Sequence, residues 1–377
     1  MSFRGAVGDE ESRIALKMLS ARFLAEFTLS TQSAILRCAQ DDSEGLGMTV
    51  PKRFSPRFER MKRIHCVGVV VMDLLNGPIP QYPVPRLRSQ VTAEWIRMMP
   101  GGGAANMPSA IARMGLPVAS FAKVGDDING EFIVRELSKL GVDTKGIRVS
   151  PGEATPFTFV GVRADGDRTF IHTPGANLNF KLSDLDFDQV LATDFLLYHD
   201  LNVLPKLDGA AAASLLAEAQ RRGVVTFLDE DFGYGPRLEP LAAMLPYCDY
   251  VIPSFDDLLA IYPDAAPEEM ASQLLESGAR AAVLKMGRDG CLIARGSDRI
   301  RVPALSANIV DTTGAGDCWD ASFIAGLASG EDVVAAALLG NACAAFCIEA
   351  VGGSTGVPCY EAVQRRASQS SSEGQKQ

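Results

Sequence analysis

An α/β fold, with a mostly parallel sheet and helices on both of its faces, is predicted by three features of this chain. Short apolar strand candidates alternate with helical patterns from residue 61 onward. A glycine-rich turn, Asp311-Thr312-Thr313-Gly314-Ala315-Gly316-Asp317, runs straight into one of those helices. Two extended, turn-broken sections, 79–98 and 155–172, interrupt the rhythm and are suited to pair as a small sheet beside the main one.

Taken in order, the first strand is expected at 64–71. It is a continuous apolar run after Met61-Lys62-Arg63, as in a strand buried on both faces. Further strands are expected at 119–124, 195–198, 224–228, 250–252 and 281–285, and helices at 104–114, 130–140, 206–222, 239–245, 268–277, 315–328 and 332–347. The second extended section carries the hairpin signal Asp165-Gly166-Asp167. The apolar run 333–347 is 15 residues long, alanine-rich and interrupted by Gly340 and Asn341, which suits a buried helix and not a membrane span.

The ends read differently. Residues 1–60 combine a helical pattern at 14–29 with a polar, turn-rich stretch at 40–56. They are expected to be an N-terminal extension that is disordered or not native, the latter if the start codon is misassigned. Asp9, Glu10, Glu11 and Arg13 argue against a signal peptide. Residues 367–377, rich in Ser, Gln, Glu and Lys, are expected to form a disordered tail, leaving 61–366 as the globular domain.

The 377 residues suffice for a full core, and 47% hydrophobic with 22% charged residues is ordinary globular composition. A net charge of −10 argues against nucleic acid or an anionic membrane as partner, though not against a nucleotide. Eight cysteines without a CxxC pair, and only three histidines, make a zinc site a poor reading and reduced thiols in a cytoplasmic protein a better one.

The turn at 311–317 carries the chemistry. A glycine turn opening a helix presents free N–H groups and the positive dipole end, which together hold an anion. Asp317 does not suit simple anion binding, because a carboxylate repels phosphate. It suits a base that accepts the proton of a hydroxyl attacking phosphorus. No Gly-Lys dipeptide exists for a P-loop, and Gly68 is followed by Val69, Val70 and Val71 where a dinucleotide fold needs more glycines. A second cluster, Pro100-Gly101-Gly102-Gly103-Ala104-Ala105-Asn106, permits close approach of a ligand and equally permits tight strand–helix packing.

Together the two clusters resemble the ribokinase or PfkB-type carbohydrate kinases. The N-terminal signature is matched by Gly101, Gly102 and Asn106, by 123–130 and by Leu140-Gly141-Val142; the C-terminal one is matched by 311–317 with Ala321 and Gly326. The resemblance implies a doubly wound α/β domain with a small β lid from about 76–98 and 155–173. It also implies transfer of the ATP γ-phosphate to a hydroxymethyl group, with Asp317 as base and Gly314, Ala315 and Gly316 as anion hole. By the same resemblance Asp73, Gly101, Gly102 and Asn106 bind the sugar, and Lys285, Gly287, Gly290 and Asn341 lie by the nucleotide. Position 285 is more often threonine in that family.

Where the family carries Asn-x-x-Glu, this chain has Ser254 and Asp257, so Asp257 is expected to act on Mg2+ through water, with shorter reach. Asp311, with Ala350 and Gly353, lies where some members bind a monovalent cation such as K+. A homodimer through the lid is common in the family.

The substrate stays open between a ketohexose, a sulfofructose and a 2-keto-3-deoxy sugar acid, with Arg97, Arg163 and Arg168 as candidate partners for an anion. A nucleoside kinase, using Phe157, Phe159 or Phe170 against a base, is an alternative, as is a non-catalytic sugar-binding regulator. Starting the chain at Met61 is expected to leave a folded protein with undiminished activity; loss of soluble expression or of activity would show that residues 1–60 are needed.

Overall fold

The computed structural model describes residues 62–79, 92–163, 168–230, 235 and 237–373. The expected extension 1–60 lies outside them. Among the described residues, the strands in chain order are β1 Ile64–Val67, β2 Val71–Ile79, β3 Trp95–Gly101, β4 Val118–Gly125, β5 Asp143–Ser150, β6 Phe157–Arg163 and β7 Arg168–Thr173. They continue with β8 Phe195–Leu201, β9 Val225–Glu230, β10 Tyr250–Val251, β11 Ala282–Lys285, β12 Cys291–Arg295 and β13 Asp298–Val302.

Nine strands form the main sheet in the order β13-β12-β11-β10-β9-β8-β1-β4-β5. Every pairing from β5 to β11 is parallel, and an antiparallel hairpin, β12–β13, closes one end. Both faces are covered. On β8, Phe195 and Leu197 point into one hydrophobic cluster while Leu196 and Tyr198 point into the other. That two-sided burial explains why β8 reads as an unbroken apolar run. The first cluster takes in helices Gly103–Arg113, Ala315–Ala328 and Val333–Ile348; the second takes in Ala210–Arg221 and Pro267–Glu276.

After β1 the chain runs toward β4 and β5, whereas after β8 it runs the other way toward β9 and β10. The carboxyl ends of β1 and β8 therefore flank a point where the winding reverses, the usual site of a ligand crevice in such sheets.

β2, β3, β6 and β7 make a separate four-stranded sheet in the order β3-β2-β6-β7. Its register puts Asp73, Leu75, Thr158, Val160, Phe170 and His172 on one face, and Leu74, Met98, Phe159 and Ile171 on the other. The expected hairpin turn 165–167 lies outside the described residues, but the strands flanking it, β6 and β7, pair antiparallel.

Three expectations need correction. The first strand ends at Val67, not at 71: the Gly68 amide bonds Phe121 O (3.1 Å), and the chain then leaves the main sheet to begin β2. Asp73, outside the expected lid span of about 76–98, accordingly belongs to the small sheet. Residues 367–373 are not disordered. They complete helix Tyr360–Glu373, where Val363 and Ala367, one helical turn apart, are both buried in the first cluster. The run 333–347 is the buried helix Val333–Ile348, as expected, and no described helix is long and apolar enough to cross a membrane.

Candidate functional site

A cavity of about 1480 Å³ opens at the reversal point between β1 and β8. It exceeds the usual range for one small ligand, about 300–1,000 Å³, and suits two ligands side by side. Asp317, Asn106, Asp73, Lys285, Asp257 and Asn341, scattered along the chain from Asp73 to Asn341, all line it.

Helix Ala315–Ala328 begins at Gly314, whose φ of 69° is left-handed and strained for any other residue type. No side chain caps this helix, so its first-turn amides face the cavity unclaimed by a cap. Of the expected anion-hole amides, Ala315 N–H already reaches Thr312 O at 3.3 Å. Asp311 holds the turn from behind, its two carboxylate oxygens accepting Thr313 N–H (2.7 Å) and Gly352 N–H (2.9 Å). It is buried and does not line the cavity.

Asp317, in the first turn of the helix, accepts a hydrogen bond from Asn106 Nδ2 at 2.8 Å. Residues 211 positions apart thus meet, joining the two glycine clusters. Burial alone would raise the Asp317 pKa, yet the contacts with His199 and Asn106 and the more distant charge of Lys285 bring it below the ordinary carboxylate value.

Asp73 faces the same space from β2. Gly101 on the neighbouring strand leaves room for it, since a Cβ there would displace the Asp73 carboxylate. The Asp73 carboxyl is pushed up to about 7: burial raises it, a Thr158 hydrogen bond opposes this, and the Asp317 charge raises it further. Beside it, Thr158 Oγ1 lies 2.9 Å from His172 Nδ1, and burial lowers the His172 pKa, favouring neutral imidazole.

Lys285, ending β11, lines the cavity at the turn Gly287–Asp289. Its ammonium pairs with Asp229 (3.0 Å) and Asp320 (3.1 Å). Asn341 lines the cavity too, but its oxygen accepts Trp319 Nε1 (2.7 Å) and its nitrogen donates to Pro303 O (2.8 Å), so it also ties helices and loop together. Ser254 donates its N–H to Glu230 (3.1 Å), and Asp257 is raised by burial against the nearby charge of Lys285.

Arg97 does not line the cavity; its guanidinium lies 5.5 Å from the Trp95 ring. Arg163 is not a lining residue either, and the side chain of Arg168 lies outside the described residues. Of the candidate aromatic rings Phe170 alone lines the cavity, Phe159 being on the opposite face of the small sheet. Sequence reasoning missed His199, Asp200, Asp229, Glu230 and Asp320, which belong to no recognisable spacing.

The profile of pfkB family carbohydrate kinases matches residues 61–359. The 5-dehydro-2-deoxygluconokinase of Clostridium perfringens is 27% identical over 278 residues, 70% of this chain and 82% of that one. Fructokinase-2 of Oryza sativa subsp. japonica is 25% identical over 281 residues, 70% of this chain and 84% of that one. A ribokinase of Arabidopsis thaliana, solved with ribose and ATP, superposes with a TM-score of 0.72 at 22% identity, covering 82% of this chain and 99% of that one.

Asp73 also sets a pH dependence. Its folded pKa lies above the ordinary 3.8, so between there and about 7 the folded state carries a proton that the unfolded state lacks. That contribution to stability is present at acidic pH and is lost as pH rises through about 7. Urea midpoints measured from about pH 4 to pH 8 should fall more steeply for the natural protein than for Asp73→Asn. Parallel profiles would contradict the burial of that carboxyl.

Proposed function

Because the chain belongs to the pfkB family of carbohydrate kinases, we propose that it transfers the γ-phosphoryl group of ATP to a hydroxymethyl group of a small neutral sugar of the ketohexose type. The carrying observation is the Asn106–Asp317 bond at 2.8 Å, which puts a candidate base between the helix-opening turn and the Asp73 pocket.

The sugar lies between Asp73 and Asn106, where a carboxylate accepts from two neighbouring hydroxyls and an amide both donates and accepts. Asp317 takes the proton of the attacking hydroxyl as the oxygen–phosphorus bond forms and the bond to ADP breaks. Amides of the Gly314–Gly316 turn receive the charge on the phosphoryl oxygens. Leu305, Ile309, Ala344 and Ile348, all lining the cavity, supply an apolar surface suited to adenine.

Asp257, a half-buried oxygen donor on the cavity wall, fits a hard divalent cation. Mg2+ held there through water would neutralise phosphate charge. The small sheet acts as a lid that keeps water from the transferred group.

A neutral substrate is supported by the charges present. Among the described residues, the cavity-lining Lys and Arg are Lys285 and Arg288, both on the nucleotide side, while the sugar side offers Asp73, Asn106, Thr158 and His172. Among the described lining residues, a sulfonate or carboxylate on the sugar would meet Asp73 without a lysine or arginine to balance it. A nucleoside is disfavoured because Phe157, Phe159 and Phe170 do not form a sandwich about the cavity. The retained Asp317 disfavours a purely regulatory role.

Release of ADP should be fastest with a ketohexose in a panel that also holds an aldohexose, a sulfosugar, a keto-deoxy sugar acid and a nucleoside; preference for an anionic sugar or a nucleoside would overturn the substrate class. Asp317→Ala should lower kcat by about two to four orders of magnitude in a protein that stays folded, and an unchanged rate would remove it from the role of base.

Homodimerisation through the lid is supported by its outer face, where Ile96, Met98 and Ile171 are 62%, 52% and 51% exposed. Such a stripe is costly to leave in water. Ile96→Asp with Met98→Asp should convert a dimer to a monomer in sedimentation, and a natural protein that sediments as a monomer would rule this interface out.

A further inference from the structure

Beneath Asp317 lies a buried ionic cluster centred on His199. This side chain sits near the end of β8 and is 4% exposed. Its Nε2 lies 3.1 Å from Asp317 Oδ1, 3.4 Å from Asp229 Oδ2 and 3.5 Å from Asp320 Oδ2, and its Nδ1 lies 3.3 Å from Asp200 Oδ1. Neither ring nitrogen makes a well-aligned hydrogen bond, so these contacts are ionic in kind. Asp200 comes from β8 itself, Asp229 from β9 with Glu230 after it, and Asp317 and Asp320 from one face of helix Ala315–Ala328. Lys285 of β11 and the Cys66 thiol of β1 complete the titratable surroundings.

We propose that His199 is a positioning residue for the phosphoryl-transfer base: as an imidazolium it bridges Asp200 and Asp317, holding the Asp317 carboxylate ionised and aimed into the cavity. The inference rests on the reading of Asp317 as base.

The charge balance leads there. Four carboxylates, Asp200, Asp229, Asp317 and Asp320, share the cations His199 and Lys285. Lys285 is taken by Asp229 and Asp320, which leaves His199 as the cation in contact with Asp317. Without it, burial would favour the protonated form of Asp317, which could no longer accept a proton from a hydroxyl.

Imidazolium suits the place because it carries N–H donors at opposite ends of a short rigid ring. Asp200 anchors the far end: its backbone is left-handed (φ 61°), and its carboxylate accepts Val69 N–H (2.8 Å) and Gly103 N–H (3.2 Å). Asn106 holds the other oxygen of Asp317, so the carboxylate is fixed from two sides and cannot rotate away from the sugar. Burial alone would push His199 toward neutrality, but the surrounding carboxylates, Asp200 foremost, hold it well above its ordinary range.

The test uses the three histidines, His65, His172 and His199, which can be told apart by ring NMR in labelled full-length protein. His199 should stay protonated through neutral pH, whereas His65 and His172, both lowered by burial, should be neutral there. In Asp317→Asn the His199 midpoint should fall by about one unit or more, since loss of an adjacent opposite charge shifts a pKa by that order. By reciprocity, the acid limb of the kcat/KM profile in His199→Gln should move up by about one pH unit or more, with KM for ATP unchanged.

An ion cluster serving stability alone would shift the melting temperature and leave that limb in place. Titration of His199 near its ordinary value of about 6.5, no change in Asp317→Asn, or an unmoved acid limb in folded His199→Gln would each overturn the proposal. If His199→Gln does not fold, the NMR comparison decides. Retained activity in Asp317→Ala would instead sink the base assignment, with the His199–Asp317 coupling still readable by NMR.

Discussion

A carboxylate that must remain charged while largely out of water is the central physical problem of this protein. Asp317 is 17% exposed, and Asp320 on the same helix face is fully buried. Ionised carboxylates in such surroundings are costly unless cations and hydrogen-bond donors sit within contact distance. Here the donors come from opposite directions: Asn106 from the helix that starts at Gly103, His199 from β8, and Lys285, one carboxylate further away, from β11. Much of the cavity wall can be understood as the set of elements that bring those three side chains together.

The fold makes that convergence possible. Parallel strands end on the same edge of the sheet, so β8, β9 and β11 deliver His199, Asp229 and Lys285 to one level without any closeness in sequence. Helix Ala315–Ala328 starts above that edge and lowers Asp317 and Asp320 onto it. The small sheet, carried by chain that leaves the main sheet at Gly68, brings Asp73 to the other wall. The pfkB family match over 61–359 and the ribokinase-like superposition agree with this layout.

What could be read from the chain follows from how locally each feature is encoded. The turn 311–317 is local: glycines, an acid and an apolar helix in one stretch, and the helix Ala315–Ala328 falls where its pattern put it. Asp73 was legible as a residue but not as a member of the small sheet, because a run of valines does not say where a chain changes sheets. β5 and β13 escaped notice because they are edge strands of mainly exposed polar residues, without the apolar runs of the interior. His199, Asp229 and Asp320 were invisible for a different reason. Each lies in or at the end of an apolar segment without a recognisable motif around it, and only the arrangement in space makes them neighbours.

Lys285 carries a consequence for how such a sequence can drift. Its ammonium is shared by Asp229 and Asp320, both buried. Exchanging the lysine alone would strand two negative charges in the interior, and exchanging either aspartate alone would unbalance the others. Substitutions at such mutually dependent positions do not add. The three therefore stand or fall together: a tolerated exchange at any one of them requires a compensating exchange at the others.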